Sequence, residues 1–268
     1  PIPFPLLQPG SDCVLALGAE LKNTVALRFD RHVVLSPHIG DLETPEAVEA
    51  LEHAARDLPT FYRRPPRRLA VDAHPDYHST RLGRRLGQEW SIPLTTVQHH
   101  HAHALACIHE HGRREGLALV LDGTGWGTDG SLWGAELMSV TPAGFRRLAT
   151  FAPAPLPGGD AAVRHPLRQL IARRFMAGLD PAADQALAPA DQSDAVAIWH
   201  AQCRSDIACP HSHSAGRLFD AVAALLGVAP ETVTYEGQAA VRLEAAARRH
   251  GATPPPAPPL FDTRVTDG

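Results

Sequence analysis

Lysine is almost missing from this chain: of its 25 Lys and Arg residues, Lys22 is the only lysine. A sequence that favours Arg this strongly keeps a Lys where a compact, flexible ammonium is needed. Cysteine is also scarce. Cys13, Cys107, Cys203 and Cys209 are too few and too irregularly spaced for a disulfide framework or a zinc ribbon of paired CxxC motifs, and a reducing, cytoplasmic compartment is expected. No apolar run reaches membrane-spanning length, and nothing at the amino end reads as a signal peptide. Positive charge is not in excess either. The net charge of −4 gives no basic field for nucleic acid or an anionic membrane. A Walker loop and a GxSxG elbow are both absent.

What is present is an ordinary globular composition, 44% hydrophobic and 20% charged, over 268 residues, a length for one large domain or two lobes. Residues 1–12 are Pro-rich and read as a linker. Strand-like runs follow at Val14–Leu17, Thr24–Phe29 and His32–Leu35. Thr44 and Pro45 open an amphipathic helix to about Phe61. A strand at Arg68–Ala73, a helix at His78–Trp90, a strand at Pro93–Val97 and a helix at His101–His111 complete a first lobe over 13–112. The pattern then restarts with strands at Leu117–Leu121, Leu132–Val140 and Phe145–Phe151. Helices are expected at Val163–Met176, Ser193–Cys203, Gly216–Leu226 and Gln238–His250. The fold class is α/β, with two related lobes that each open β-β-β and a ligand cleft between them. The second lobe, 113–250, reads as incomplete, because the chain passes into a Pro-rich loop or linker over 251–268 where further strands and helices are expected.

Histidine is the outlier by abundance, 16 in all and six of them between His99 and His111. A helix beginning inside VQHHHAHALA sets His99 and His103 one turn apart on one face, where two imidazoles can converge on one metal ion. His100 and His101 point elsewhere. Asp122 ends the apolar strand LALVLD and completes a set of two His and one carboxylate suited to iron or zinc, with magnesium as a third option. The loop it opens, DGTGWGTDG, holds Gly123, Gly125 and Gly127, whose backbone N–H groups could approach a phosphate. That loop also matches GxGxxG, but a strand follows it, so it is not a dinucleotide fingerprint. The turn GAELKN in the first lobe occupies the matching place and offers Gly18, Lys22 and Asn23 to a phosphate. Cys203, Cys209, His211 and His213 have a spacing too irregular for a zinc site.

These strings, with SPHIGDLE, DAHPDYHSTRLG, LPGGDAAVRHP, SAGRLFDAVAALLG and TYEGQAA, stand in an order that resembles the HypF carbamoyltransferase family of nickel–iron hydrogenase maturation. The resemblance runs from about Val14 to Leu243 and covers the carboxyl-terminal transferase module, which is similar to the tRNA threonylcarbamoyladenosine enzyme. It implies an actin/sugar-kinase/Hsp70-type ATPase fold. It implies that carbamoyl phosphate and ATP give carbamoyl-adenylate, and that the carbamoyl group passes to the carboxyl-terminal cysteine of HypE for cyanide ligand synthesis. It also implies a metal on His99, His103 and Asp122, with one more Asp ligand from beyond residue 268. Asp220 is the expected partner of the ribose hydroxyls, with Gly216, Glu236 and Gly237 lining the nucleoside. His165, His211 and His213 depart from the family pattern, which has an acidic residue at the first and small polar residues at the others. The family's acylphosphatase, zinc-finger and adenylate-forming modules are not in this chain, so it is expected to use carbamoyl-adenylate made elsewhere or to be a shortened variant. Two further readings stay open: an O-carbamoyltransferase acting on a small-molecule hydroxyl, and a non-catalytic nucleotide-binding scaffold.

Overall fold

A computed structural model of the chain describes residues 4–5, 12–189 and 193–251. The first three apolar runs fold back on one another as β2 (Val14–Ala16), β3 (Ala26–Phe29) and β4 (His32–Leu35), all antiparallel, with Asp30 in the left-handed region (φ 48°) making the second turn. Beyond them β5 (Arg68–Asp72) and β6 (Leu94–Val97) add in parallel to β2, so the chain must cross over the sheet between strands. Helices α1 (Pro45–Tyr62) and α2 (His78–Trp90) make those crossings. Thr44 caps α1 by accepting from Ala47 N, with Pro45 at its first position. Gly83 lets α2 lie against the sheet, since a Cβ there would collide with Val71 Cγ1. Leu15, Leu27, Leu69, Val71 and Leu86 form the core between them. The sheet order is β1-β4-β3-β2-β5-β6, where β1 is Phe4–Pro5. Two residues of the segment expected to be a linker thus pair with β4, while the rest of 1–11 and the Pro-rich 252–268 lie outside the described residues.

Helix α3 (His99–Glu110) leads to a second three-stranded opening, β7 (Gly116–Trp126), β8 (Leu132–Thr141) and β9 (Gly144–Thr150), with β8 in the middle. Short strands β10 (Ala154–Pro155) and β11 (His211–Ser212) extend this sheet, and β11 joins β8 in parallel. Six helices follow β10 or flank β11: α4 (Asp160–Arg164), α5 (Pro166–Met176), α6 (Pro181–Gln185), α7 (Ser193–Ser205), α8 (Ala215–Leu225) and α9 (Gln238–His250). The architecture is therefore mixed α/β with two sheets. Among the described residues no strand pairs with the free edge of β7.

Three expectations need correction. The helix expected over Val163–Met176 is two, α4 and α5, because Pro166 opens a new helix and forces His165 into an extended conformation (φ −122°, ψ 92°). Helix α3 starts at His99 rather than His101, since Gln98 caps it by accepting from His101 N at 2.9 Å. The glycine loop is largely strand: β7 runs on through Asp122 to Trp126, with an irregularity between Leu121 and Gly125. No helix among the described residues is long and apolar enough to cross a membrane.

Candidate active site

Four chain segments end at one place. Strand β5 delivers Asp72 at its carboxyl end, β6 leads into His99 at the start of α3, His103 follows one helical turn later, and β7 brings Asp122 from the second sheet. His99 Nε2 lies 3.1 Å from His103 Nε2 and 3.5 Å from Asp122 Oδ2. The ligand atoms of His99, His103 and Asp122 all fall within 4.8 Å of one another, and no other such group occurs among the described residues.

The donor chemistry fits a divalent cation. Asp72 Oδ2 accepts from His99 Nδ1 at 2.8 Å, which leaves the Nε2 lone pair facing His103 and Asp122. Asp72 is itself held, its Oδ1 accepting from His74 N at 2.8 Å. Asp122 Oδ1 accepts from Gly123 N at 2.6 Å, while Oδ2 is buried with no partner. An anionic oxygen left bare and two imidazoles at contact distance are costly unless a cation joins them. Burial disfavours the charged form of both rings. On His99 the Asp72 hydrogen bond and the Asp122 charge outweigh it and raise the pKa. On His103 burial and the neighbouring His99 lower it, so one ring is poised to be neutral beside another drawn toward charge. A cavity of about 330 Å³ opens beside the pair, walled by Ala16, Gly18, Ala70, Asp72 and Val97.

The other expected residues divide. Lys22, at φ 49°, has its N–H donating to Asp41 Oδ1 and its Nζ 2.8 Å from Glu236 Oε2, an exposed ion pair that raises the Lys22 pKa. Gly237 (φ 75°) begins α9 beside Glu236 with open space at its Cα. Gly216 packs on Gly123, where an added Cβ would lie 3.1 Å from the Gly123 Cα. Gly18 takes φ 70° to turn the chain.

Asn23 is corrected to a turn-former: it is buried, and Nδ2 donates to Leu17 O at 2.8 Å and Ala19 O at 2.6 Å. Gly125 and Gly127 are packing positions, since a Cβ at either would collide with His100 or Trp133. Three N–H groups of the stretch are spent internally, Gly123 on Asp122 Oδ1, Gly127 on Ser131 O and Gly130 on Gly127 O. Asp220 lies inside, 2% exposed, with Oδ2 2.8 Å from Arg217 Nε. His100 does not point away from the site: its Nε2 is 3.7 Å from Asp122 Oδ2.

Cys203 and Cys209 are buried with Ala172 and Phe175, while His213 Nδ1 is 2.6 Å from Phe151 O, so the four-residue zinc spacing is not assembled. His165 Nδ1 lies 3.3 Å from Thr232 Oγ1. Asp72 is the residue that sequence reasoning missed. Its only signal was a carboxylate at a strand's end, in DAHPDY, and the partner that gives it meaning is 27 residues away.

Family models match both parts of the chain: the HypF Kae1-like domain over residues 9–110, and the carbamoyltransferase Kae1-like domain, second subdomain, over residues 118–264. The chain belongs to the HypF family. It is 40% identical to the carbamoyltransferase HypF of Rhodobacter capsulatus, over 92% of this chain and 34% of that protein. It is also 40% identical to a carbamoyltransferase HypF homolog of Cupriavidus necator, over 90% of this chain and 62% of that protein. The chain thus spans about a third of the length of the Rhodobacter relative. Crystallised full-length HypF in a phosphate- and nucleotide-bound form superimposes with a TM-score of 0.82 at 33% identity, over 90% of this chain and 31% of that one. HypF of T. kodakarensis gives 0.81 at 29% identity, over 91% and 33%.

Proposed function

We propose that this chain is the transferase module of a HypF-type carbamoyltransferase, working in the cytoplasm on carbamoyl-adenylate formed from carbamoyl phosphate and ATP. The acceptor is the carboxyl-terminal cysteine of HypE, and the fold is of the actin/sugar-kinase/Hsp70 type. The shared β-β-β openings and the order β4-β3-β2-β5-β6 of the first sheet support the fold reading. The observation that carries the function is the convergence of His99, His103 and Asp122 from the two halves of a HypF-family chain.

His99, His103 and Asp122 would hold a divalent cation, iron, zinc or magnesium. When bound, it supplies Lewis-acid polarisation of a phosphate oxygen. Asp72 keeps the His99 ring in the tautomer and orientation that present Nε2. Lys22 has its ammonium on Glu236 and is close enough to feel the Asp122 charge; such an exposed pair is worth about 0–1 kcal/mol, so it would exchange readily for a phosphate. Lys22 then offsets charge on the departing phosphate. The small, apolar cavity walls offer room beside the His pair for the carbamoyl group. The acceptor thiolate sulfur bonds to that carbon, the carbon–oxygen bond to the adenylate phosphate breaks, and AMP leaves with the electron pair. In this reading the nucleophile is the acceptor's thiolate; of this chain's own cysteines, Cys203 and Cys209 are buried, burial pushes the Cys203 thiol up to about 12, and the exposed Cys107 has its Sγ 3.9 Å from His111 Nδ1.

The test offers the full chain carbamoyl-adenylate and a HypE tail peptide, and reads AMP release and the mass of the peptide thiocarbamate. The chain is expected to give both, and His99→Ala with His103→Ala neither, with an unchanged circular dichroism spectrum. Full transfer by that double variant would sink the assignment. Transfer to sugar alcohols but not to the peptide would instead select a small-molecule acceptor.

A further inference from the structure

His100 is wholly buried, an unusual place for a histidine, and its hydrogen-bond partners define which nitrogen carries the proton. Gln98 caps α3 through its carbonyl oxygen, Oε1 accepting from His101 N at 2.9 Å. Its amide nitrogen must therefore be the donor on the other side, and Nε2 donates to Trp126 O at 3.0 Å and faces His100 Nδ1 at 3.0 Å. A donor against Nδ1 requires a lone pair there, so the neutral ring carries its hydrogen on Nε2. That Nε2–H stands 3.7 Å from Asp122 Oδ2, and neither atom has a hydrogen-bond partner. A glycine leaves room beside them: a Cβ on Gly125 would lie 2.9 Å from His100 Nε2 and 3.1 Å from Asp122 Oδ2, crowding both.

We infer that His100 is a positioning residue for Asp122: its Nε2–H dipole, aimed at the carboxylate, favours the orientation in which Oδ2 faces the His99–His103 pair, and Gly125 leaves the room that lets ring and carboxylate approach. The inference rests on the metal reading of that set. At 3.7 Å the contact is longer than a hydrogen bond by about 0.8 Å, and acts as a directed dipole on the anionic oxygen. The cleft then has one supporting group for a ligand from each half of the chain, Asp72 for His99 and His100 for Asp122. Such supports commonly change metal affinity by roughly 10–100-fold when removed.

Two readouts test this. Nitrogen-15 NMR of the metal-free chain is expected to place the His100 proton on Nε2; a proton on Nδ1 would overturn the inference. Competition of Zn²⁺ with a chromophoric chelator is expected to show His100→Phe, which keeps a flat ring without a donor, binding roughly 10–100-fold more weakly than the parent. His100→Gln, whose amide N–H reaches the Nε2 position, is expected to stay within a few fold. Parent-like affinity in His100→Phe, or equal loss in both variants, would overturn the inference. If His100→Phe does not fold, the proton's position in the parent still decides. A parent that takes up no Zn²⁺ overturns the metal reading instead, and the NMR result remains readable without metal.

Discussion

The turn at Gly18–Asn23 and the stretch Asp122–Gly130, which is the end of β7 and the turn after it, occupy matching places at the first hairpin of a three-stranded opening, yet they are built by opposite means. The first closes on itself. Gly18 supplies the left-handed backbone, the Asn23 amide fills the interior, and Lys22 is turned outward as a charge. The second is filled from elsewhere. His100 enters against Gly125, Trp133 against Gly127, and Asp129 Oδ1 ties the turn by accepting from Ser131 N, Ser131 Oγ and Trp133 Nε1. Glycine serves conformation in one and volume in the other. Likeness of position and composition therefore does not make the two turns equivalent: one presents a cation to the cleft and the other an anion, Asp122.

The contrast breaks most visibly at the glycines of the second turn. Gly125→Ala is expected to cost about 1–3 kcal/mol through overpacking and to reduce Zn²⁺ uptake, read by denaturant unfolding and metal titration. Gly123→Ala, with open space at its Cα, is expected to unfold at nearly the parent's denaturant midpoint. Lys22→Ala should separate function from fold: about 10²-fold slower transfer, with stability within about 1 kcal/mol of the parent, since its ion pair is exposed. Asn23→Ala should do the reverse, losing about 1–3 kcal/mol as the carbonyls of Leu17 and Ala19 lose their buried donor.

The smallest effect is a pH dependence. Hydrogen bonds from Ser131 and Trp133 and the charge of Arg147 overcome burial and hold the Asp129 carboxyl down at about 2, against an ordinary 3.8. Its stabilisation is therefore full above about pH 4 and is lost as pH falls through about 2. Asp129→Asn should flatten that part of an acid-unfolding profile and leave the slope near neutrality unchanged.

Local chemistry was legible where it was decided locally. His78–Trp90 appears as a helix with the bounds the sequence implies, and Thr44-Pro45 opens α1 as its capping pattern requires. The i,i+4 spacing of His99 and His103 likewise sufficed to place two imidazoles together. What was not legible depended on neighbours distant in sequence. Asp122–Trp126 reads as a loop from its glycines, but pairing with β8 keeps it in the strand. Asn23 and Asp220 look like ligand groups in one dimension; the Asn23 amide N–H groups go to its own turn, and Asp220 is paired inside with Arg217. Asp72 and His100 could not be recognised, because their meaning lies in a ring and a carboxylate that only the folded sheets bring within reach. Leu117, Leu119 and Leu121 were read as an apolar strand, and they are 71%, 64% and 52% exposed on β7, whose other edge has no strand among the described residues.

The central claim is that one centre is shared by the two halves of the chain. Titration of the metal-free chain with Zn²⁺ tests it most directly. The account predicts one tight site per chain, lost equally in His103→Ala from α3 and Asp122→Ala from β7, with both variants folded. Tight, stoichiometric binding that survives in either variant would contradict it.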